Sequence, residues 1–249
     1  LQLLLEFVDT PYFTEESVEK EKGIIAQELR MYEDEPEWQV LLNLIKNLYH
    51  HHPVRIDIGG TVDSIQKIDA DLLYKCYNTF YHPSNMVLFV IGCIEPEEVF
   101  KIVEEHTKSL NRTPQDEIQR IYPEEPTSIY NENSSVKLDV SEPLFLMGFK
   151  DTDIGYDGPK LLKKELLTGI VLEIMLGKSS KLYEELYDLG IIDDRFSFGY
   201  EGQKGYGFCT IGGETKDPDS LHNKLVKSIS KYIREGIQVE DFVRISQHP

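Results

Sequence analysis

No stretch of eighteen or more apolar residues occurs in the 249-residue chain, so no membrane-spanning helix is expected. Cysteine is scarce. Cys76, Cys93 and Cys209 are odd in number, far apart and without C-x-x-C spacing, which argues against both a disulfide framework and a cysteine zinc site and fits a reducing cytoplasm. Basic residues are outnumbered, 26 against 44 acids, for a net charge of -18. That charge repels phosphate backbones and anionic head groups, so neither nucleic acid nor a membrane surface is an expected partner. An initiator methionine is missing as well. Leu1, Leu4, Leu5 and Val8 already carry a helical apolar spacing at the chain start, and the expectation is a segment taken from inside a longer protein.

Forty per cent hydrophobic residues are enough to build substantial cores. Thr14 reads as an N-cap, with Glu15 and Glu16 in the first turn, Phe13 placed to staple Val18, and a helix running to about Glu33. Trp38, Leu41, Leu42, Ile45 and Leu48 mark a second amphipathic helix. A helix over Asp69–Tyr81 leads through His82-Pro83-Ser84-Asn85 to an apolar strand, Met86–Cys93, and to a helix starting near Pro96. Asn111–Ser134 has no apolar period and reads as an interdomain linker. Beyond it, strands are expected at Val136–Val140, Leu144–Phe149, Arg195–Tyr200 and Tyr206–Gly212, the last two joined across Glu201–Gly205. Helices are expected over Pro159–Leu176, over Ser179–Leu189 and from Pro218. Gly59-Gly60 and Gly212-Gly213 read as turns. LEFVDTPYFTEESVEKEKG and SKYIREGIQVEDFVRISQ echo each other about one domain length apart, which suggests a duplicated unit.

Glu21 and Glu28 call for a chemical explanation. On a helical wheel of about 100° per residue they fall with Ile24, Ile25, Met31 and Tyr32 on one face, away from Glu19, Gly23, Gln27 and Arg30. Seven residues apart, they drift by only about 20° and sit inside the apolar stripe. A carboxylate buried there needs a cation, donors or a metal. Salt bridges to bases outside the helix are the plain reading. A glycosidase pair fits poorly, because Cα atoms some 10 Å apart along one helix do not converge on one bond.

The stretch VEKEKGIIAQELRMYEDEP resembles the pitrilysin/insulinase family of zinc peptidases, the inverzincins, in which a glutamate on such a helix completes a zinc site begun by H-x-x-E-H. HHHPVRIDIGGTVDSIQKI, FYHPSNMVLFVIGCIEPEEV and GKSSKLYEELYDLGII follow in the family's order, and the likeness is to bacterial members of processing-peptidase type. The resemblance implies that Glu28 is a metal ligand to zinc and that Glu21 supports the catalytic site from behind it. It implies an α+β fold of two related domains of antiparallel sheet packed with helices, both incomplete in this chain. Residues 1–112 would be the C-terminal half of the first peptidase domain, 113–134 a linker and 135–249 the N-terminal part of its duplicate.

No H-x-x-E-H occurs in the chain. The nearest decoy, Ile102-Val103-Glu104-Glu105-His106, has isoleucine in the first ligand position and is expected on a solvated helix. His50, His51 and His52 are consecutive on a loop and cannot all face one metal, so structural or solvent roles are expected. The resulting expectation is a fragment of a cytoplasmic zinc metalloendopeptidase that acts on peptides, itself inactive, and paired with a copy of itself or a family paralogue. The alternative is a non-catalytic peptide-binding or scaffolding subunit of a heterodimeric peptidase of the same family.

Overall fold

In the computed structural model, residues 1–110, 112–113 and 117–247 are described, and they divide into two compact units. One comprises Leu1–Arg30 with Gly59–Ile121, the other Met31–Ile58 with Tyr122–Pro249. Among the described residues the chain is α+β, with helices in both units and a three-stranded antiparallel sheet in the second. Of the linker expected over 113–134, residues 114–116 lie outside the described residues, as do His248 and Pro249 at the end.

The first unit is helical among its described residues. It contains α1 (Gln2–Asp9), most of α2 (Glu15–Glu33), α4 (Val62–Ile65), α5 (Ala70–Phe80) and α6 (Pro96–Ser109). Thr14 caps α2 as expected: its Oγ1 accepts the Ser17 N–H at 3.1 Å, and the Ser17 hydroxyl accepts the Thr14 N–H at 3.1 Å, a reciprocal box satisfying two of the orphan amides of a helix start. Phe13 makes an edge contact with Tyr74, ring centroids 5.0 Å apart. Ala26, Leu29 and Ile65 form a small core with Ile25, Val62 and Ile68 around it. Asp9 ties α1 to α6 by accepting from His106 Nε2 at 2.7 Å and pairing with Arg112 at 3.3 Å.

The strand expected at Met86–Cys93 does not form a ladder. Its residues take no regular structure, and Val87, Phe89 and Ile91 are 79, 83 and 96% exposed. A strand exists only by exchanging backbone hydrogen bonds with a neighbour, and the described residues of this unit supply none. The antiparallel sheet expected in the first half is therefore not observed there.

The second unit is built on the sheet, in the order β1 (Leu144–Lys150), β3 (Tyr206–Glu214), β2 (Ser197–Gln203). β3 pairs with both neighbours, Met147 opposite Ile211 on one side and Phe198 opposite Ile211 on the other. Glu201, Gly202 and Gln203 pair with Phe208, Gly207 and Tyr206, so the hairpin turns in two residues, Lys204 and Gly205, and not across the five expected. Val136–Val140 makes no ladder, so that expected strand is also not observed. One face carries α7 (Gly158–Leu176), α8 (Lys181–Asp188) and α9 (Pro218–Glu235), whose Leu172, Leu176, Leu186, Leu221 and Leu225 close over Phe196 and Ile211. α10 (Val239–Gln247) packs on α7.

Elsewhere on the sheet, α3 (Pro36–Leu48) packs on β1, and Leu48 and Tyr49 bury Phe208. This is why residues 31–58 group with the second unit although they precede the linker in sequence. The approach is close because Gly148 has no side chain: a Cβ there would stand 2.9 Å from both Leu44 methyls. Gly212 and Gly213, expected in a turn, lie within β3, and a Cβ on Gly212 would fall 2.0 Å from the Phe145 carbonyl oxygen.

Residues from Tyr122 onward form a strap along the second unit. The Glu125 carboxylate accepts the N–H groups of His50, His51 and His52 at 2.8, 2.7 and 2.8 Å and the Lys150 ammonium at 2.6 Å. The Tyr130 and Asn131 amides donate to Asn47 O at 2.8 and 3.0 Å. Burial by itself would raise the Glu125 pKa, but the Lys150 ammonium and the three amides outweigh it and hold it at about 2. Among the described residues no helix is long and apolar enough to cross a membrane.

Two predictions follow from this packing. Gly212→Ala is expected to destabilise the protein by more than about 2 kcal/mol, because backbone cannot yield as a side chain would. In the same sheet, a Cβ on Gly199 meets nothing nearer than the Thr210 hydroxyl at 3.8 Å, so Gly199→Ala is expected within roughly 0.5–1 kcal/mol of wild type; urea midpoints of both variants decide. Glu125, held below its unfolded value, stabilises the fold fully above the ordinary glutamate range, and that share is lost as pH falls from 4.5 to about 2. Glu125→Gln is expected to be less stable at neutral pH and to show a shallower acid dependence, read from urea unfolding at several pH values.

Candidate functional site

α2 carries the two glutamates singled out by sequence. Its buried stripe is Val18, Lys22, Ala26 and Leu29, with Ile25 beside it, a run at i, i+4, i+8 and i+11 that follows one side of a 3.6-residue helix. Glu21 and Glu28 are exposed, as are Ile24 at 50% and Met31 at 61%. The expectation that both acids lie inside a buried apolar face is therefore overturned. The wheel gathers Glu21, Ile24, Glu28 and Met31 correctly, but packing uses a face turned by roughly 135° from theirs. Among the described residues neither carboxylate has a hydrogen-bond or ion-pair partner, and the salt bridges expected by the plain reading are not formed.

The buried charge on this helix is Lys22, 8% exposed. Its ammonium meets Glu19 at 2.5 Å and the Gln66 carbonyl at 3.4 Å, while its methylenes extend the apolar stripe. Sequence reading missed it because a lysine is counted as polar. The signal available was its spacing four residues from Val18 and from Ala26.

The three consecutive histidines take the structural roles expected of them. His50, His51 and His52 give their backbone amides to Glu125. The His52 ring, 5% exposed, stacks on Tyr122 at 5.3 Å between centroids, and its Nδ1 accepts the Val54 N–H at 3.1 Å. His106 departs from expectation: it is not solvated, since its Nε2 is engaged with Asp9 in a partly buried pair. His82 bonds Thr113 O at 3.0 Å and Ser84. Among the described residues no three histidine, cysteine, aspartate or glutamate side chains are placed to hold a metal ion. Glu28 can offer a single carboxylate.

Two other features were not read from sequence. Asp151 is the centre of a polar cluster in the second unit, accepting from Tyr200 Oη at 2.7 Å and pairing with Lys164. Burial and the bond to Asp151 push the Tyr200 phenol well above its usual range, so it stays a neutral donor. A cleft of about 360 Å³ is lined by Lys178, Ser179, Tyr183, Glu184, Tyr187 and Asp188. It mixes one cation with two carboxylates and holds neither Glu21 nor Glu28.

Sequence and structure comparisons fit this arrangement. The family model described as peptidase M16 inactive domain matches residues 67–247. A Bacillus subtilis protein named uncharacterized zinc protease YmfH is 48% identical over 221 residues, covering 89% of this chain and 52% of that protein. Zinc protease PqqE of Helicobacter pylori is 25% identical, covering 99% of this chain and 56% of that one. The crystal structure of an M16-like peptidase from Alicyclobacillus acidocaldarius superimposes with a TM-score of 0.91 at 36% identity, over 99% of this chain and 58% of that one. The chain thus spans about half the length of the relatives it matches. With most of its length matched by that family model and its fold reproduced in an M16-like peptidase, the chain belongs to the peptidase M16 family.

Proposed function

We propose that the whole protein containing this chain is a zinc-dependent metalloendopeptidase acting on peptides, in which Glu28 is a zinc ligand and Glu21 supports it. The observation that carries the reading is the pairing of a relative named a zinc protease, nearly half identical across most of the chain, with an exposed Glu28 on α2 that has no partner among the described residues. A carboxylate already engaged by an arginine or lysine would have to give up that partner to bind a metal; Glu28 does not. Glu21 lies two turns before it on the same face, close enough to support ligands through hydrogen bonds without sharing the metal.

A catalytic zinc site keeps three protein ligands, and this chain offers one. The remaining ligands and the base therefore come from residues outside it, in keeping with the absence of H-x-x-E-H. When bound, zinc in such a site polarises the peptide carbonyl and activates water. What the chain contributes is a fixed negative oxygen donor on α2, whose direction is set by Val18, Ala26 and Leu29 packing behind it. The protein's partner is proposed to be a copy of itself or a family paralogue, and its compartment the cytoplasm.

Two outcomes test the reading. The 249-residue chain alone is expected to retain no stoichiometric zinc after dialysis, measured by atomic absorption. In the full-length protein, Glu28→Gln is expected to lose zinc and peptide hydrolysis together, whereas Glu21→Gln loses about 10- to 100-fold of activity. Because both side chains are exposed, neither substitution should move the melting temperature of the zinc-free protein by more than a degree or two, about what surface changes produce. Wild-type zinc content and hydrolysis in Glu28→Gln would refute the ligand assignment. A full-length protein that binds no zinc and cleaves no peptide would indicate the non-catalytic subunit instead.

A further inference from the structure

The strap over residues 122–134 is held at its start by one histidine ring. His52 is 5% exposed and its ring lies among three tyrosines: stacked on Tyr122 at 5.3 Å and 8°, tilted to Tyr206 at 5.1 Å, and tilted to Tyr49 at 5.8 Å. Nδ1 accepts the Val54 N–H, which caps the turn Pro53–Arg55. An accepting Nδ1 carries no proton, so the neutral ring holds its hydrogen on Nε2. Nε2 is buried without a partner and lies 3.3 Å from where a Cβ on Gly205 would stand, so the tip of the β2–β3 hairpin closes over it.

We propose that His52 is an acid-sensitive latch: protonation of its Nδ1 removes the acceptor of the Val54 N–H and frees the loop His50–Ile56 together with the strap residues Tyr122 and Glu125 that rest on it. The proton comes from solvent and forms an N–H bond where the cap was. Imidazolium has no acceptor, so the capped turn faces a donor, and a charge is placed among rings that exclude water. The charged and titratable groups facing the ring are Glu125 and Tyr122 from the strap, Lys150 from β1, Tyr49 after α3 and Tyr206 from the hairpin. Burial depresses the His52 pKa first and most, Glu125 opposes this, and Lys150 adds to it. The Tyr206 phenol is pushed up to about 12 by burial and its bond to Glu201, and Glu125 is held at about 2. Neither titrates in the window where a histidine does. The neighbouring His50 ring is turned to Tyr130, 5.3 Å away, and to Ser128.

The sign follows from linkage. A histidine whose folded pKa lies below its open-state value stabilises the closed state fully above about pH 6.5, and this is lost as pH falls through that value toward the folded one. The opening equilibrium of the loop and strap should rise by up to about tenfold for each pH unit in that interval.

Hydrogen-exchange mass spectrometry on the full-length protein, with protection factors corrected for intrinsic rates, reads this on peptides spanning His50–Ile56 and Tyr122–Ser134. Protection is expected to fall between pH 7.5 and pH 5 in wild type. In His52→Asn, whose amide oxygen can still cap Val54 but cannot titrate, protection should be constant. In Glu125→Gln, which weakens the three amide bonds, it should be low at both pH values. Equal loss in His52→Asn, or no loss in wild type, overturns the proposal. Should His52→Asn fail to fold, the wild-type ring decides by NMR: titration at or above the ordinary histidine value, or a neutral tautomer protonated at Nδ1, overturns it equally.

Discussion

β3 is the strand on which the second unit depends, because it alone in the sheet is paired along both edges. Its sequence, YGFCTIGGE, meets two opposed demands. Phe208 and Ile211 fill the packing against α3 and against α7–α9, while Gly207 and Gly212 remove every atom from places where other groups must enter. A side chain at Gly207 would meet the Tyr200 hydroxyl at 2.9 Å. The Tyr49 hydroxyl donates to the Gly207 carbonyl at 2.7 Å and accepts its amide at 3.2 Å, so the end of α3 is tied to the sheet through main chain that only a bare residue exposes. Burial raises the Tyr49 phenol well above its usual range, which keeps that donor protonated.

From this strand outward the remaining parts find their places. Leu44 and Leu48 carry α3 onto β1 and Phe208. Lys150, the last residue of β1, lies over the Tyr49 ring at 4.8 Å and reaches Glu125, Pro126 O and Ser128 O. Three acceptors for one ammonium explain how a charged side chain 5% exposed is tolerated. The segment that sequence reads as linker is thus anchored from Tyr122 on through backbone amides and one carboxylate, which need no apolar period and leave no trace of one.

The proposed zinc ligand lies on the opposite kind of surface, the exposed side of α2 in the first unit. α2 buries a narrow stripe and leaves Glu21, Ile24, Glu28 and Met31 outward. An acidic pair flanked by exposed isoleucine and methionine is an unusual solvent face, since large apolar residues beside charges gain nothing from water. The proposed role of Glu28 as a zinc donor would give that face a use.

Much of the helical order was legible in the sequence. Thr14, Asp69, Ser180 and Asp217 each cap the helix that follows them, and Pro36, Pro96 and Pro218 each stand in a first turn. These are local signals, complete within a few residues, so the chain specifies them before it folds. The family motifs were legible for the same reason, being strings of residue identities. Strands were legible only as candidates. Met86–Cys93 and Leu144–Phe149 look alike in composition, yet only the second meets a partner, and pairing belongs to residues some sixty positions away, as in Leu146 opposite Gly212. The orientation of α2 escaped sequence reading as well. An amphipathic helix shows which residues share a face, while the neighbours decide which face is covered, and here Ile65 and its flanking residues cover the side of Lys22 and leave Glu28 in the open.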